Sequence, residues 1–227
     1  MKYIVIGLGR FGSKLASDLT EMGHEVIGVD NHSERLDELK DLVTTVMKLD
    51  STNLNAIRSL PLSEADAVIV AIGEDIGASI LTLSILKNLE IKRLMGRAIN
   101  QMHYDILRQI GIDEVVLPLD ESARHVASML QLKNTLKITE ISDEYALAEI
   151  ITPGKYVGHC PDTVNIRGRF DLRLLAVKTP PEVRIMSSIF KRDYKVDFDY
   201  DINKPLNEGD ILVVAGRMTD IKRFVDN

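Results

Sequence analysis

Tyr3-Ile-Val-Ile-Gly-Leu-Gly-Arg-Phe-Gly12, followed by Ser13 to Met22 and then Glu25-Val-Ile-Gly-Val-Asp30, is the stretch that decides the fold. Tyr3 to Gly7 is a short, β-branched, apolar run, as expected of a strand buried on both faces of a parallel sheet. Leu15, Ala16, Leu19 and Met22 recur at helical spacing, and Gly23 supplies the left-handed φ that ends helices. Glu25 to Asp30 is a second strand that finishes on an acid. The glycines thus form a G-x-G-x-x-G turn inside a βαβ unit, a context far more specific than the motif alone. Gly7 permits the tight turn, Gly9 lets a pyrophosphate approach the backbone, and Gly12 lets helix and strand pack closely. Free amides at the helix start form an anion site. Asp30 lies roughly twenty residues beyond, where a carboxylate binds a ribose 2′-hydroxyl. Because only Asn31 and His32 follow at once, with no Arg, a 2′-phosphate is disfavoured. NAD(H), ATP, ADP and AMP satisfy the pattern equally. The fingerprint names a nucleotide, not a reaction.

A chain of 227 residues has room for one large or two modest domains. A formal charge of −6 argues against a nucleic-acid surface, which needs clustered excess Lys and Arg. The single cysteine, Cys160 in His159-Cys-Pro161, excludes a disulfide framework and fits a reducing cytoplasm. No apolar run reaches transmembrane length, and Met1 leads straight into a strand rather than a signal peptide. Action at a membrane would require a partner.

The alternation of strands and helices continues past Asp30. Ser33 to Leu42 reads as a helix, Thr44 to Leu49 as a strand, and Asn53 to Leu60 as a short helix stopped by Pro61. Ala67 to Ile72 is the strongest buried-strand signal, followed by Gly73-Glu74-Asp75 and an apolar helix over Ile76 to Leu89. Lys92 to Arg97, a helix over Gln101 to Ile110, and Glu114 to Leu117 complete a Rossmann-type doubly wound parallel sheet, ordered 3-2-1-4-5-6. Ligands of such sheets bind beyond the strand ends at the switch between strands one and four. Asp120 to Asn134 reads as a helix, and short strands at Lys137 to Ile141, Tyr145 to Ile151, Leu172 to Lys178 and Ile211 to Ala215 follow it. Thr219 to Val225 reads as a closing helix. Domains over 1–135 and 136–227 are expected, the second a small α+β unit.

A dehydrogenase needs an acid or base beside the nicotinamide. Tyr200-Asp-Ile-Asn-Lys204 has the Y-x-x-x-K spacing but precedes Pro205 in a turn-rich stretch, so chance explains it better. His103 and His125 lie on expected helices, where a hydrogen-bonded, partly buried histidine is the common outcome. No H-E-x-x-H, P-loop, G-x-S-x-G or paired-Cys motif is present. The absence of a catalytic constellation favours a sensor over an enzyme.

Several stretches together resemble one family. They are Ile6-Gly-Leu-Gly-Arg-Phe-Gly12, Met22-Gly-His-Glu-Val26, Asp50-Ser-Thr52, Ala65-Asp-Ala-Val-Ile-Val-Ala-Ile-Gly73 and Leu107-Arg-Gln-Ile-Gly-Ile-Asp113. Later come Leu147-Ala-Glu-Ile150, Gly168-Arg-Phe170, Leu174-Leu-Ala-Val177 and Leu206-Asn-Glu-Gly-Asp-Ile-Leu-Val-Val-Ala-Gly216. The chain is similar, over essentially its whole length, to the TrkA/KtrA-type cytosolic regulatory subunits of Trk/Ktr potassium uptake systems, an RCK_N domain followed by an RCK_C domain. The resemblance implies a non-catalytic protein that forms homodimers and then an octameric ring. That ring lies at the inner face of the cell membrane under an integral potassium-translocating subunit of the TrkH/KtrB type.

It also implies ATP, ADP or NAD(H) in the RCK_N crevice. Gly7, Gly9 and Gly12 would cradle phosphates, with Arg10 and Phe11 in the same turn and Arg10 reaching the terminal phosphate. Asp30 would hold the ribose beside Asn31, and Asp50 and Ser51 would lie by the base. Ala71, Ile72, Gly73 and Glu74 would line the cleft, faced by Arg97. The family's Pro-Glu, used for a divalent cation, here reads Pro118-Leu119, leaving Asp120 or Glu121 as substitutes. Some RCK_C domains bind cyclic di-AMP at a dimer seam, a further candidate ligand. The competing readings are an NAD-dependent oxidoreductase and a redox-sensing DNA regulator; the latter needs a helix-turn-helix and a basic face, and neither is evident.

Overall fold

The computed structural model describes residues 1–89, 91–132, 134–180 and 194–226. The chain divides into two compact units between Ser122 and Ala123. The first alternates β1 (Lys2–Ile6), α1 (Arg10–Glu21), β2 (Glu25–Asp30), α2 (Ser33–Leu39), β3 (Thr45–Lys48), α3 (Leu54–Ile57), β4 (Ala67–Val70), α4 (Ile76–Lys87), β5 (Leu94–Arg97), α5 (Gln101–Gln109) and β6 (Glu114–Val116). Its six strands are ordered β3-β2-β1-β4-β5-β6, all pairs parallel, which is the Rossmann order expected from the sequence.

Alternation along β1 explains why that strand is central. Ile4 and Ile6 enter one apolar layer with Val68, Val70, Leu83, Leu86 and Leu107, while Val5 enters the opposite layer with Val26, Ile69 and Ala16. Each such fully buried aliphatic side chain contributes about 1.5–3 kcal/mol. Ile6 is in register with Val29 on one side and Val70 on the other, so these three strands end together. Helices α4 and α5 are capped by side chains. Asp75 accepts from the Ala78 N–H at 2.9 Å at the head of α4, and Asn100 from the His103 N–H at 2.9 Å at the head of α5. The helix expected over Asn53 to Leu60 is confined to α3. Beyond it the Leu60 N–H donates to Ile57, tightening the chain, and Pro61 has no amide with which to continue.

Helix α6 (Pro118–Gln131) spans the division between the units. The second unit holds β7 (Thr135–Glu140), β8 (Tyr145–Ile151), α7 (Pro161–Val164), α8 (Ile166–Phe170), β9 (Arg173–Thr179), β10 (Lys195–Asp197), β11 (Ile211–Arg217) and α9 (Met218–Asp226). Its sheet is antiparallel, ordered β10-β9-β11-β8-β7. Phe224 of α9 stacks on Tyr156 and meets Phe170 edge-on, both with centroids 5.1 Å apart. This aromatic trio fills the core between the sheet and its helices. Helices α7 and α8 and strand β10 go beyond the sequence expectation. Residues 161–170 are too short for a periodic pattern and turn on Asn165, which adopts a left-handed φ of 54° and caps both helices. Pro181 of the expected Pro180-Pro181 turn lies outside the described residues.

Candidate functional site

The site grows from the turn between β1 and α1. Gly7 has a φ of +93°, open to glycine, and a Cβ there would stand 2.9 Å from the Ile72 amide nitrogen. Its own N–H donates to Val29 at 2.8 Å, tying the turn to β2. At Gly12 a Cβ would lie 1.9 Å from the Gly7 carbonyl oxygen, so only glycine lets α1 pack on its strand. Helix α1 starts at Arg10 with Gly9 as its cap residue and no capping side chain. Gly9 and Arg10 line the cleft, so the uncapped start of α1 opens onto it, the arrangement that draws anions.

Asp30 closes β2 with only 5% of its surface exposed. One carboxylate oxygen accepts from the Leu8 N–H at 2.7 Å, inside the Gly-rich turn. The other accepts from the His32 N–H at 2.9 Å and lies 3.0 Å from His32 Nδ1. Burial pushes the Asp30 pKa up, but the backbone N–H groups of His32 and Leu8, the contact with the His32 ring and the Arg35 charge outweigh it and hold the group below the usual carboxylate range. Asp30 is therefore ionised and already fixed. The absence of an Arg after it does not survive folding: Arg35, in the first turn of α2, brings Nη1 to 3.5 Å from Asp30 and donates from Nη2 to Glu74 at 2.8 Å. A reading along the chain misses this because Arg35 returns to the strand end only when α2 coils.

These groups line a cleft of about 390 Å³ beyond the ends of β1, β2 and β4. Of the expected residues, Gly7, Gly9, Arg10, Asp30, Asn31, Asp50, Ser51, Ala71, Ile72, Gly73, Glu74 and Arg97 face it. Phe11 and Gly12 do not line it; they act from behind, Gly12 by close packing and Phe11 as the ring under Arg97, 5.2 Å from guanidinium carbon to centroid. His32, Arg35, Leu49, Thr52, Asp75 and Ala78 also line the cleft and were not anticipated as site residues. Thr52 has a visible reason: its N–H and hydroxyl donate to Asp50 at 2.9 and 2.7 Å, which depresses the Asp50 pKa. Ser51 is pinned by a 2.9 Å hydroxyl contact with Thr82 of α4.

Arg97 lines the cleft beside Ala71 and Gly73. Nη1 donates weakly to the Ala71 carbonyl at 3.4 Å, and the buried Nε has no partner among the described residues. A Cβ at Gly73 would sit 2.6 Å from Nη1, so Gly73 is what lets the guanidinium reach the cleft wall. His103 departs from expectation. It is 1% exposed, neither ring nitrogen has a partner among the described residues, and burial pushes its pKa down, keeping it neutral. The side chain of His125 lies outside the described residues.

The remaining motifs resolve structurally. The Tyr200 hydroxyl donates to the Pro205 carbonyl at 2.8 Å and the Lys204 ammonium stands 5.4 Å from its ring centroid, so Y-x-x-x-K stabilises a turn. Cys160 Sγ is 2.8 Å from the Asn203 carbonyl oxygen. Among the described residues no group of three or more His, Cys, Asp or Glu is placed to hold a metal ion. Glu121 instead faces the Leu117 N–H at 3.5 Å, at the start of its own helix. No helix among them is long and apolar enough to cross a membrane.

The family model of the TrkA-N domain matches residues 3–118. The chain is 34% identical over 223 residues to Ktr system potassium uptake protein C of Bacillus subtilis (strain 168), covering 98% of this chain and 95% of that one. Ktr system potassium uptake protein A of the same bacterium is 32% identical over 223 residues, with 98% and 95% covered. A solved structure described as the GsuK channel bound to NAD superposes with a TM-score of 0.64 at 16% identity, covering 98% of this chain and 38% of that chain, a likeness of fold. The chain belongs to the TrkA-N family and is akin, along nearly its whole length, to the Ktr potassium uptake proteins.

Proposed function

We propose that this chain is the cytosolic regulatory subunit of a Ktr-type potassium uptake system and that its cleft senses an adenine nucleotide. The observation that carries the reading is the cleft itself, which joins uncapped amides of α1, an ionised Asp30 and an Arg97 that pairs with no carboxylate among the described residues. Phosphates fit the first and last of these, and a ribose diol fits Asp30. Arg10, exposed at the turn, is suited to a terminal phosphate. Residues 1–135 would be the nucleotide-binding domain and 136–227 the regulatory one. A divalent cation, where one takes part, would be recruited by the phosphates, with Asp120 or Glu121 as the nearest acids in sequence.

Regulation then needs no chemistry. A nucleotide shifts a conformational balance only by its difference in affinity for the two states, and an additional phosphate beside Arg10 or Arg97 supplies such a difference through charge-assisted hydrogen bonds. Exposed Leu81 on α4 and Val126 and Leu130 on α6 support assembly into homodimers and an octameric ring beneath the membrane subunit. Cyclic di-AMP is proposed as a second ligand on the family resemblance alone.

The test is potassium uptake by cells lacking their own high-affinity system and supplied with the membrane partner and this chain. Uptake should require the chain, and Gly12→Val should abolish that dependence while the protein still accumulates. Full uptake with Gly12→Val would sink the reading. So would oxidation of NADH by the isolated chain on addition of a hydroxy- or keto-acid, which would return the dehydrogenase alternative.

A further inference from the structure

Two carboxylates share one guanidinium at the ribose end of the cleft. Arg35 Nη2 donates to Glu74 Oε2 at 2.8 Å, whereas its Nη1 stands 3.5 Å from Asp30 Oδ2. The first contact is a full ion-paired hydrogen bond and the second is marginal. Arg35 rises from α2 and Glu74 from the loop after β4, so their bond runs from one wall of the cleft to the other. The Glu74 side chain is 80% exposed and reaches in from solvent, while that of Arg35 is only 30% exposed.

Asp30 is compensated separately, by the N–H groups of Leu8 and His32. Glu74 has no such backbone donor among the described residues; the bond from Arg35 is the main cause that depresses its pKa. Two carboxylates against one guanidinium give these three groups a net negative charge. A nucleotide whose ribose lies on Asp30 points its 2′ oxygen here. A free hydroxyl is tolerated, but a 2′-phosphate meets repulsion, although the side chain suited to it, a planar bidentate guanidinium, is already in place.

We infer that Arg35 is a latent receptor for a 2′-phosphate and that Glu74, by engaging its guanidinium, restricts the cleft to nucleotides with a free 2′-hydroxyl. Glu74 is a positioning residue that acts through Arg35. This inference rests on the nucleotide reading of the cleft, and the experiment separates the two. Full-length wild-type, Glu74→Gln, Arg35→Ala and Glu74→Gln/Arg35→Ala proteins are titrated calorimetrically with ADP, AMP and adenosine 2′,5′-bisphosphate. The last two ligands differ only in the 2′-phosphate, and the readout is the ratio of their affinities within each protein.

In the wild type AMP should bind at least about tenfold more tightly than the bisphosphate. Glu74→Gln should narrow that ratio about tenfold, the scale of one charge-assisted hydrogen bond, and removing Arg35 as well should reopen it. Arg35→Lys in place of Arg35→Ala should retain part of the narrowing. A merely structural role for Glu74 would move both affinities together. An unchanged ratio in Glu74→Gln, or a narrowing that persists without Arg35, overturns the inference while leaving the nucleotide reading intact. Failure of the wild type to bind either ADP or AMP overturns both.

Discussion

The two units bury polar groups to different ends. In the second unit Asp210 is 1% exposed, and its contacts close a turn and tie the ends of β8 and β11 together. Its carboxylate accepts from the Asn207 N–H at 2.8 Å, and its carbonyl accepts from the Thr152 N–H at 2.8 Å and hydroxyl at 2.9 Å. In the first unit the buried polar groups are less complete: Arg97 Nε, Ser79 Oγ and both His103 nitrogens lack partners among the described residues. An unmet buried polar group costs about 1–3 kcal/mol, so a fold keeps several only where something else is gained. Of these groups only Arg97 lines the cleft, so there the unmet polar atom stands where a ligand can reach it.

The largest effect that sharpens this contrast is expected in the aromatic trio. Phe224→Ala should cost about 3–5 kcal/mol in urea unfolding, since Phe224 is fully buried against Tyr156 and Phe170. Nucleotide affinity of the protein that remains folded should hold; a large loss would tie the cleft to the second core and break the comparison. Next comes Arg97→Gln, expected to weaken ADP and ATP by about tenfold or more, one charge-assisted contact, with unfolding stability equal to or above wild type. Equal loss of affinity and stability would make Arg97 structural.

Asp30 gives a pH signature of smaller size. A carboxylate with a lowered folded pKa adds stability above its unfolded pKa and loses it as pH falls through the folded value. Wild-type stability should therefore decline as pH drops through and below the usual carboxylate range, and Asp30→Asn should flatten that slope. Identical acid slopes would show that the bonds from Leu8 and His32 do not favour the charged form. Smallest is Tyr200→Phe, which removes the bond to the Pro205 carbonyl and should cost about 0.5–1.5 kcal/mol with nucleotide affinity unchanged. A fall in affinity would revive a functional role for Tyr200 and Lys204.

Strand order was legible because β1, β2 and β4 are short apolar runs separated by helical patterns, and the right-handed βα rule leaves few ways to connect them. The turn that opens the cleft was legible at Gly7 and Gly12, where the backbone leaves no room for a Cβ, and the cleft itself at Asp30, the acid that closes β2. It was not legible at Arg35, whose approach to Asp30 and Glu74 depends on the coil of α2 and on a loop dozens of residues away. His103 was misjudged for a similar reason. Its helical spacing says that it faces inward, but whether a partner waits there is a property of the packing. In the second unit α7 and α8 escaped notice because they are single turns set by Asn165, below the length at which periodicity can be read.

The most direct measurement is a calorimetric titration of the nucleotide-free chain with ATP, ADP, NAD and NADH in parallel, with and without magnesium. Tight binding of ATP and ADP, with affinities that differ from each other, is the predicted result and supplies the free-energy difference that gating requires. Equal affinity for ATP and ADP, or binding confined to NAD or NADH, would contradict an adenylate-set gate.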